Sequence, residues 1–211
     1  MSFFVLLLTY AYVACTPWRT AASLAAQHDG GSRYRASVMA VLGSGGHTAE
    51  MIALLGWLPA SRFKVASVVV ASSDATSLAR LRTAGALAAD ARIHTIVRAR
   101  EVAGSWGGAV LRSVYAALEG VNILIAEQPA LLLVNGPGTC VPLVCAARAL
   151  RACGALRPDS RILFVESVCR VETLSLSGYL LYHCRFADDV AVQWEALRAR
   201  FPRAKYIGTV L

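Results

Sequence analysis

Three short stretches of this 211-residue chain concentrate the residue types that can do chemistry. Leu42 to Thr48 read LGSGGHT, Asn135 to Thr139 read NGPGT, and Glu166 to Arg170 read ESVCR. In the first, Gly43, Gly45 and Gly46 supply the backbone freedom that lets amides approach an anion. Ser44 and Thr48 can donate to phosphate oxygens or cap a helix. His47 follows directly, at the place where a neutral imidazole could act as a general base or bind a hydroxyl, or simply serve as a structural donor. In the second stretch, Asn135 and Gly136 favour a tight turn, Pro137 stiffens it, and Gly138 and Thr139 open the next segment. Two such turns fit a ligand carrying more than one phosphate. Glu166 is a carboxylate beside anion-binding loops, so it is expected to bind sugar hydroxyls, to orient a base, or to pair with Arg170; Ser167 lies next to it.

The positions of these stretches follow from the elements around them. Short β-branched apolar runs recur at 36–42, 63–71, 92–97, 130–134, 161–165 and 188–192, in the style of buried parallel strands. Segments with helical spacing separate them, at 48–58, 75–89, 107–126, 139–153, 171–183 and 194–200. Strand and helix in alternation predict a doubly wound, Rossmann-like α/β sheet with helices on both faces. Ligands of such sheets sit outside the carboxyl ends of the strands. The glycine stretches and the Glu166 loop should therefore share one rim with Asp74 after the second strand and with Arg98, Arg100 and Glu101 after the third.

Two familiar phosphate motifs are excluded. A dinucleotide fingerprint needs glycine three residues beyond Gly45, where Thr48 stands, and the loop lacks the lysine of nucleotide triphosphatases. The net charge is +8, with 19 arginines among the 21 basic residues, which suits phosphate and carboxylate oxygens. These arginines are scattered and the aromatics do not interleave with them, which argues against nucleic acid. The six cysteines show no Cys-x-x-Cys spacing, so reduced thiols are expected, with neither a disulfide framework nor a metal site.

The chain is 56% apolar, with mean hydropathy +0.53, and its first eighteen residues carry no charged side chain. They lack the basic start of a cleaved signal, and Arg19, Arg33 and Arg35 follow them. Residues 1–26 are therefore expected to be a retained membrane anchor, residues 27–34 a polar linker and residues 35–211 the domain. By the positive-inside tendency that domain faces the cytosol. The anchor is short against the ~20 residues of a comfortable span, so both spanning and interfacial placements stay open. The 107–126 segment is apolar on so many sides that it should touch the membrane or lie in the core.

LGSGGHTAEM, RAREVAGSW, LVNGPGTCVP and VESVCRVETLSLSGYLLY, with Gln193–Trp194 and the terminal KYIGTVL, together resemble a known family. It is the membrane-anchoring subunit of the endoplasmic reticulum UDP-N-acetylglucosamine transferase, the asparagine-linked glycosylation protein fourteen family. The resemblance covers about residues 37–211. It implies the acceptor half of a GT-B glycosyltransferase, which needs two Rossmann-like halves. The donor half would be a soluble catalytic subunit of the asparagine-linked glycosylation protein thirteen type. The implied reaction transfers N-acetylglucosamine from UDP-N-acetylglucosamine, held mainly by that partner, to dolichyl-diphosphate-N-acetylglucosamine, with no cofactor. The preceding N-acetylglucosamine-phosphate transferase is a further conceivable partner.

By residue, the resemblance puts Gly43–Thr48 and Asn135–Thr139 on the acceptor diphosphate, and makes His47 and Glu166 the catalytic candidates. The apolar chain end, Ile207, Gly208, Thr209, Val210 and Leu211, is expected to dock on the partner. Two other readings remain open on the residues alone. One is a self-sufficient nucleotide-dependent oxidoreductase with Asp74 on a ribose. The other is a purely structural membrane receptor.

Overall fold

The computed structural model describes residues 35–99, 106–136 and 138–211. The anchor and linker expectations, and the sites expected at Arg100, Glu101 and Pro137, lie outside those residues. Seven parallel strands form one sheet: β1 (Ala36–Val41), β2 (Phe63–Ala71), β3 (Arg92–Ile96), β4 (Leu131–Asn135), β5 (Arg161–Val165), β6 (Asp189–Val192) and β7 (Lys205–Tyr206). The helices between them are α1 (Gly46–Trp57), α2 (Ala75–Thr83), α3 (Trp106–Glu127), α4 (Cys140–Ala152), α5 (Leu176–His183) and α6 (Glu195–Arg200). The strand order is β3-β2-β1-β4-β5-β6-β7. This is the expected Rossmann-like sheet, and the chain reverses its direction of travel between β1 and β4.

Alternation along each strand divides the core. Met39, Val41, Val69, Leu132 and Val134 point to the face covered by α3 and α4. Val38, Ala40, Val68, Val70 and Leu133 point to the other, against Met51, Leu54 and Leu55 of α1 and Leu81 of α2. A sheet buried on both sides explains why these strands read as unbroken apolar runs. The core expectation for the α3 segment holds over its C-terminal half. Ala116, Ala117, Val121 and Leu124 are in the core, whereas Leu111 and Tyr115 are exposed nearer its start. Gly120 lets it close on α4, since a Cβ there would fall on the Leu143 side chain.

Two helix boundaries and one added strand depart most from the sequence reading. Helix α2 ends at Thr83, and α5 begins only at Leu176, after Ser175 caps it by accepting from the Gly178 amide at 3.0 Å. The two-residue β7 is an addition, continued by the Ile207 amide donating to the Val192 carbonyl at 3.1 Å.

Candidate functional site

The glycine stretches follow β1 and β4, the two strands that flank the reversal point. Their helices, α1 and α4, begin without a side-chain cap, at Gly45 and Thr139. By contrast α2 and α5 are capped, by Asp74 and Ser175. No side chain caps the first-turn amides of α1 and α4; in α1 the Thr48 amide donates to the Gly45 carbonyl at 3.2 Å, which leaves those of Gly46 and His47 facing outward, as an anion site requires. Gly45 has φ 69°, a conformation that favours glycine, and a Cβ at Gly45, Gly46 or Gly138 would meet nothing within 4 Å. That open space is part of a cleft of about 800 Å³ lined by Gly46, His47, Gly136, Gly138, Glu166, Ser167 and Arg170. One wall is apolar, built from Val114 of α3, Val141, Pro142 and Cys145 of α4, and Leu176 and Leu180 of α5.

The two glycine loops touch through His47. Its Nδ1 lies 3.1 Å from Asn135 Oδ1. Gly136, at φ 84°, packs so closely that a Cβ there would fall on the imidazole ring. The Asn135 side chain is buried and donates from Nδ2 to Glu50 Oε2 at 2.8 Å and to the Val165 carbonyl at 3.3 Å. Glu50 is 2% exposed; its Oε1 accepts from Ser167 Oγ at 2.7 Å and from the Val168 amide at 3.2 Å. Nothing in the sequence reading pointed to Glu50. Three residues past His47 on a helix, it resembles an ordinary surface acid until β4 and β5 cover it.

Glu166 lies on the cleft floor and is fully buried. Its oxygens accept from the Ser167 amide at 2.9 Å, the Ser175 amide at 2.8 Å and Ser175 Oγ at 2.9 Å. It thereby ties the end of β5 to the cap of α5, and Gly178 leaves room for it, since a Cβ there would meet Oε2. The alternative pairing with Arg170 is not formed. Arg170 is exposed at the cleft, with no ion pair or side-chain hydrogen bond among the described residues.

Other expected site residues are turned inward. Thr48 is fully buried, and its Oγ1 donates to the Gly43 carbonyl at 2.6 Å and lies 2.7 Å from Ser77 Oγ. The geometry leaves the backbone of this loop, rather than the Thr48 hydroxyl, free for a ligand. Asp74 caps α2, accepting from the Ser77 amide at 3.2 Å, Ser77 Oγ at 2.7 Å and Thr76 Oγ1 at 3.1 Å. Burial pushes its carboxyl up, but those bonds and the Arg98 charge outweigh burial and hold it below the usual carboxylate range. Neither residue reaches the cleft, and a ribose at Asp74 is disfavoured.

The chain end is also partly committed. Val210 is buried against the sheet and its amide donates to Gln193 Oε1 at 2.9 Å, while Leu211 is 67% exposed. Ile207 packs on the same core face. Part of the segment expected to dock on the partner therefore also packs in this domain's own core.

The profile of the family described as "Oligosaccharide biosynthesis protein Alg14 like" matches residues 38–210. The chain belongs to the Alg14 family. A relative from Homo sapiens, named "UDP-N-acetylglucosamine transferase subunit ALG14", is 36% identical over 184 residues, 83% of either chain. The Yarrowia lipolytica protein of the same name is 35% identical over 178 residues, covering 82% of this chain and 81% of its own. Among solved structures, Acinetobacter baumannii MurG superposes with a TM-score of 0.55 at 17% identity over 75% of this chain. This chain spans 41% of that MurG chain, and the likeness carries the fold alone. The Alg14 match includes both glycine loops, His47, Glu50 and Glu166 within its bounds.

Proposed function

We propose that the chain is the membrane-bound, acceptor-binding subunit of a two-chain N-acetylglucosaminyltransferase. Its acceptor is dolichyl-diphosphate-N-acetylglucosamine, and its product is the chitobiosyl lipid. The observation that carries this reading is the pair of uncapped helix starts, α1 and α4, facing one cleft at the reversal point of an Alg14-family sheet. A diphosphate lies against the amides of Gly46, His47 and the Gly138–Cys140 turn, where the helix ends supply positive potential. Among the described residues lining the cleft, Arg170 adds the one guanidinium. The apolar wall between α3, α4 and α5 accommodates the first isoprene units. Leu111, Tyr115, Leu176 and Tyr179 are exposed on α3 and α5, the helices that bound that wall, which suits contact with the bilayer.

In the transfer, an acceptor hydroxyl bonds to the anomeric carbon of the donor sugar as the bond to UDP breaks. His47, on the cleft wall, takes the hydroxyl proton. The donor nucleotide is held by a soluble partner of the asparagine-linked glycosylation protein thirteen type; the curated relatives are themselves named as subunits. Residues 1–26 anchor the chain in the endoplasmic reticulum membrane with the domain in the cytosol. No cofactor is needed for this chemistry.

The test is transfer from UDP-N-acetylglucosamine to a short-chain polyprenyl-diphosphate-N-acetylglucosamine. The full chain is assayed with and without the soluble partner. Turnover is expected only with both, and Arg170→Ala should raise KM for the acceptor about 10-fold, the loss of one charge-assisted contact. A complex that binds its partner yet fails to bind the acceptor would instead make the chain a membrane receptor.

A further inference from the structure

We infer that Asn135 and Glu50 form a positioning pair that decides which nitrogen of His47 faces the cleft. The inference deepens the proposed transferase reading and rests on it for its kinetic consequence. A side-chain amide has one donor end and one acceptor end, and their assignment must come from the surroundings. One end of Asn135 lies 2.8 Å from Glu50 Oε2 and 3.3 Å from the Val165 carbonyl. Both neighbours are acceptors, so only the NH2 end fits there. Oδ1 is thereby turned toward His47 Nδ1 at 3.1 Å. An amide oxygen requires a donor, so Nδ1 carries the proton. In a neutral imidazole the other nitrogen, Nε2, is then the acceptor.

Glu50 cannot exchange this role for a direct one. Its Oε2 stands 3.9 Å from His47 Nδ1, and its Oε1 is engaged by Ser167 Oγ at 2.7 Å and the Val168 amide at 3.2 Å. Gly136 closes the arrangement by packing on the ring. The pair thus delivers Nε2 as a proton acceptor for a substrate hydroxyl, with the ring held by Asn135 and packed against Gly136. A reading in which Glu50 only ties α1 to the loop after β5 makes no statement about the ring, and this separates the two.

The first measurement needs no substrate. The full chain, labelled with 15N-histidine in detergent micelles, is examined by long-range 1H–15N correlation at about pH 8.5, where an ordinary imidazole is neutral. The His47 signals are assigned by their loss in His47→Gln. A protonated Nδ1 and an unprotonated Nε2 are expected; the opposite tautomer overturns the inference. The second measurement compares Glu50→Leu, which removes the acceptor, with Glu50→Gln, which keeps one oxygen for Asn135 Nδ2. In the complex with the partner, Glu50→Leu should lose the single-tautomer signal and lower kcat about 10- to 100-fold, with KM for the acceptor lipid nearly unchanged. Glu50→Gln should restore most of both. A Glu50→Leu protein with a lower melting temperature but unchanged tautomer and kcat would sink the positioning role. Should that variant not fold, the wild-type tautomer still decides. An inactive wild-type complex would count against the transferase reading and leave the tautomer result standing.

Discussion

Alanine at Gly136 is the smallest change that strikes the meeting point of the two glycine loops. Two costs can be read from the geometry. The residue has φ 84°, where an L side chain is strained by about 1–2 kcal/mol. The added Cβ would also stand 2.6 Å from His47 Cε1, whereas ordinary contact begins at 3.4 Å. The ring has to retreat by roughly an ångström, the scale of misplacement that can cost about 10²-fold in rate. Gly56 supplies the control, because it is an exposed helix residue whose Cβ would meet nothing within 4 Å. Gly56→Ala should be neutral in activity and stabilise by up to about 1 kcal/mol. The assay is transfer of N-acetylglucosamine to a short-chain acceptor by the two-chain complex, corrected for folded protein by thermal melting. Gly136→Ala is expected to lose about 10²-fold in kcat while melting only a few degrees lower. Wild-type turnover in a folded Gly136→Ala protein would refute the placement of His47 against this turn.

Thiol chemistry gives an independent view of the cleft. Cys169 lines it and is exposed, whereas burial pushes the Cys140 thiol up to about 12 and the Cys145 thiol up to about 11. Maleimide at about pH 7.5 should modify Cys169 and the exposed Cys184 but spare Cys140 and Cys145, and acceptor lipid should protect Cys169 alone; equal protection of Cys184 would argue against this cleft. At the opposite end of the sheet, Asp188 accepts from both Arg151 nitrogens at 2.6 Å and from the Ile162 amide at 2.8 Å. Burial raises its carboxyl, but the Arg151 and Ile162 hydrogen bonds together with the Arg151 and Arg161 charges outweigh burial and hold it below the usual range. Its stabilisation is therefore complete above the unfolded value of about 3.9 and is lost as pH falls toward the folded one. Asp188→Asn should cost about 1–3 kcal/mol at pH 7 and flatten the acid limb of the melting curve; an unchanged acid limb would show that the pair contributes little.

The sheet and its order of elements were legible because a doubly covered sheet leaves a strong mark: β-branched runs that alternate with helical spacing. The rim was legible for the same reason, since strand ends are known once strands are. Side-chain roles on that rim were much less so. Asp74 reads as a rim acid, but Ser77 three residues later is the mark of a helix cap, and the cap is what forms. Thr48 reads as a phosphate donor, yet its hydroxyl is held by the carbonyl of Gly43, five residues back, and lies against Ser77 from another helix. Glu50 was invisible because each of its partners is more than eighty positions away. Local pattern predicts where the backbone goes; long-range partners decide which polar groups remain free.

The chain end makes the same point in the other direction. An apolar KYIGTVL stretch suggests a surface awaiting a partner, and Tyr206 and Leu211 are indeed exposed. Two of its residues, Ile207 and Val210, pack on the sheet face that also carries α1 and α2. The connection goes further than packing. The Val210 amide donates to Gln193 Oε1 at 2.9 Å, and Gln193 Nε2 donates to the Glu166 carbonyl at 3.0 Å. Glu166 in turn holds the Ser175 cap at the cleft. Two buried hydrogen bonds thus join the chain end to the cleft floor through one side chain that is 1% exposed. If the proposed function holds, a partner seated on Tyr206 and Leu211 would press on a segment hydrogen-bonded through Gln193 to the cleft floor, and its docking would bear on the same few contacts that shape the cleft.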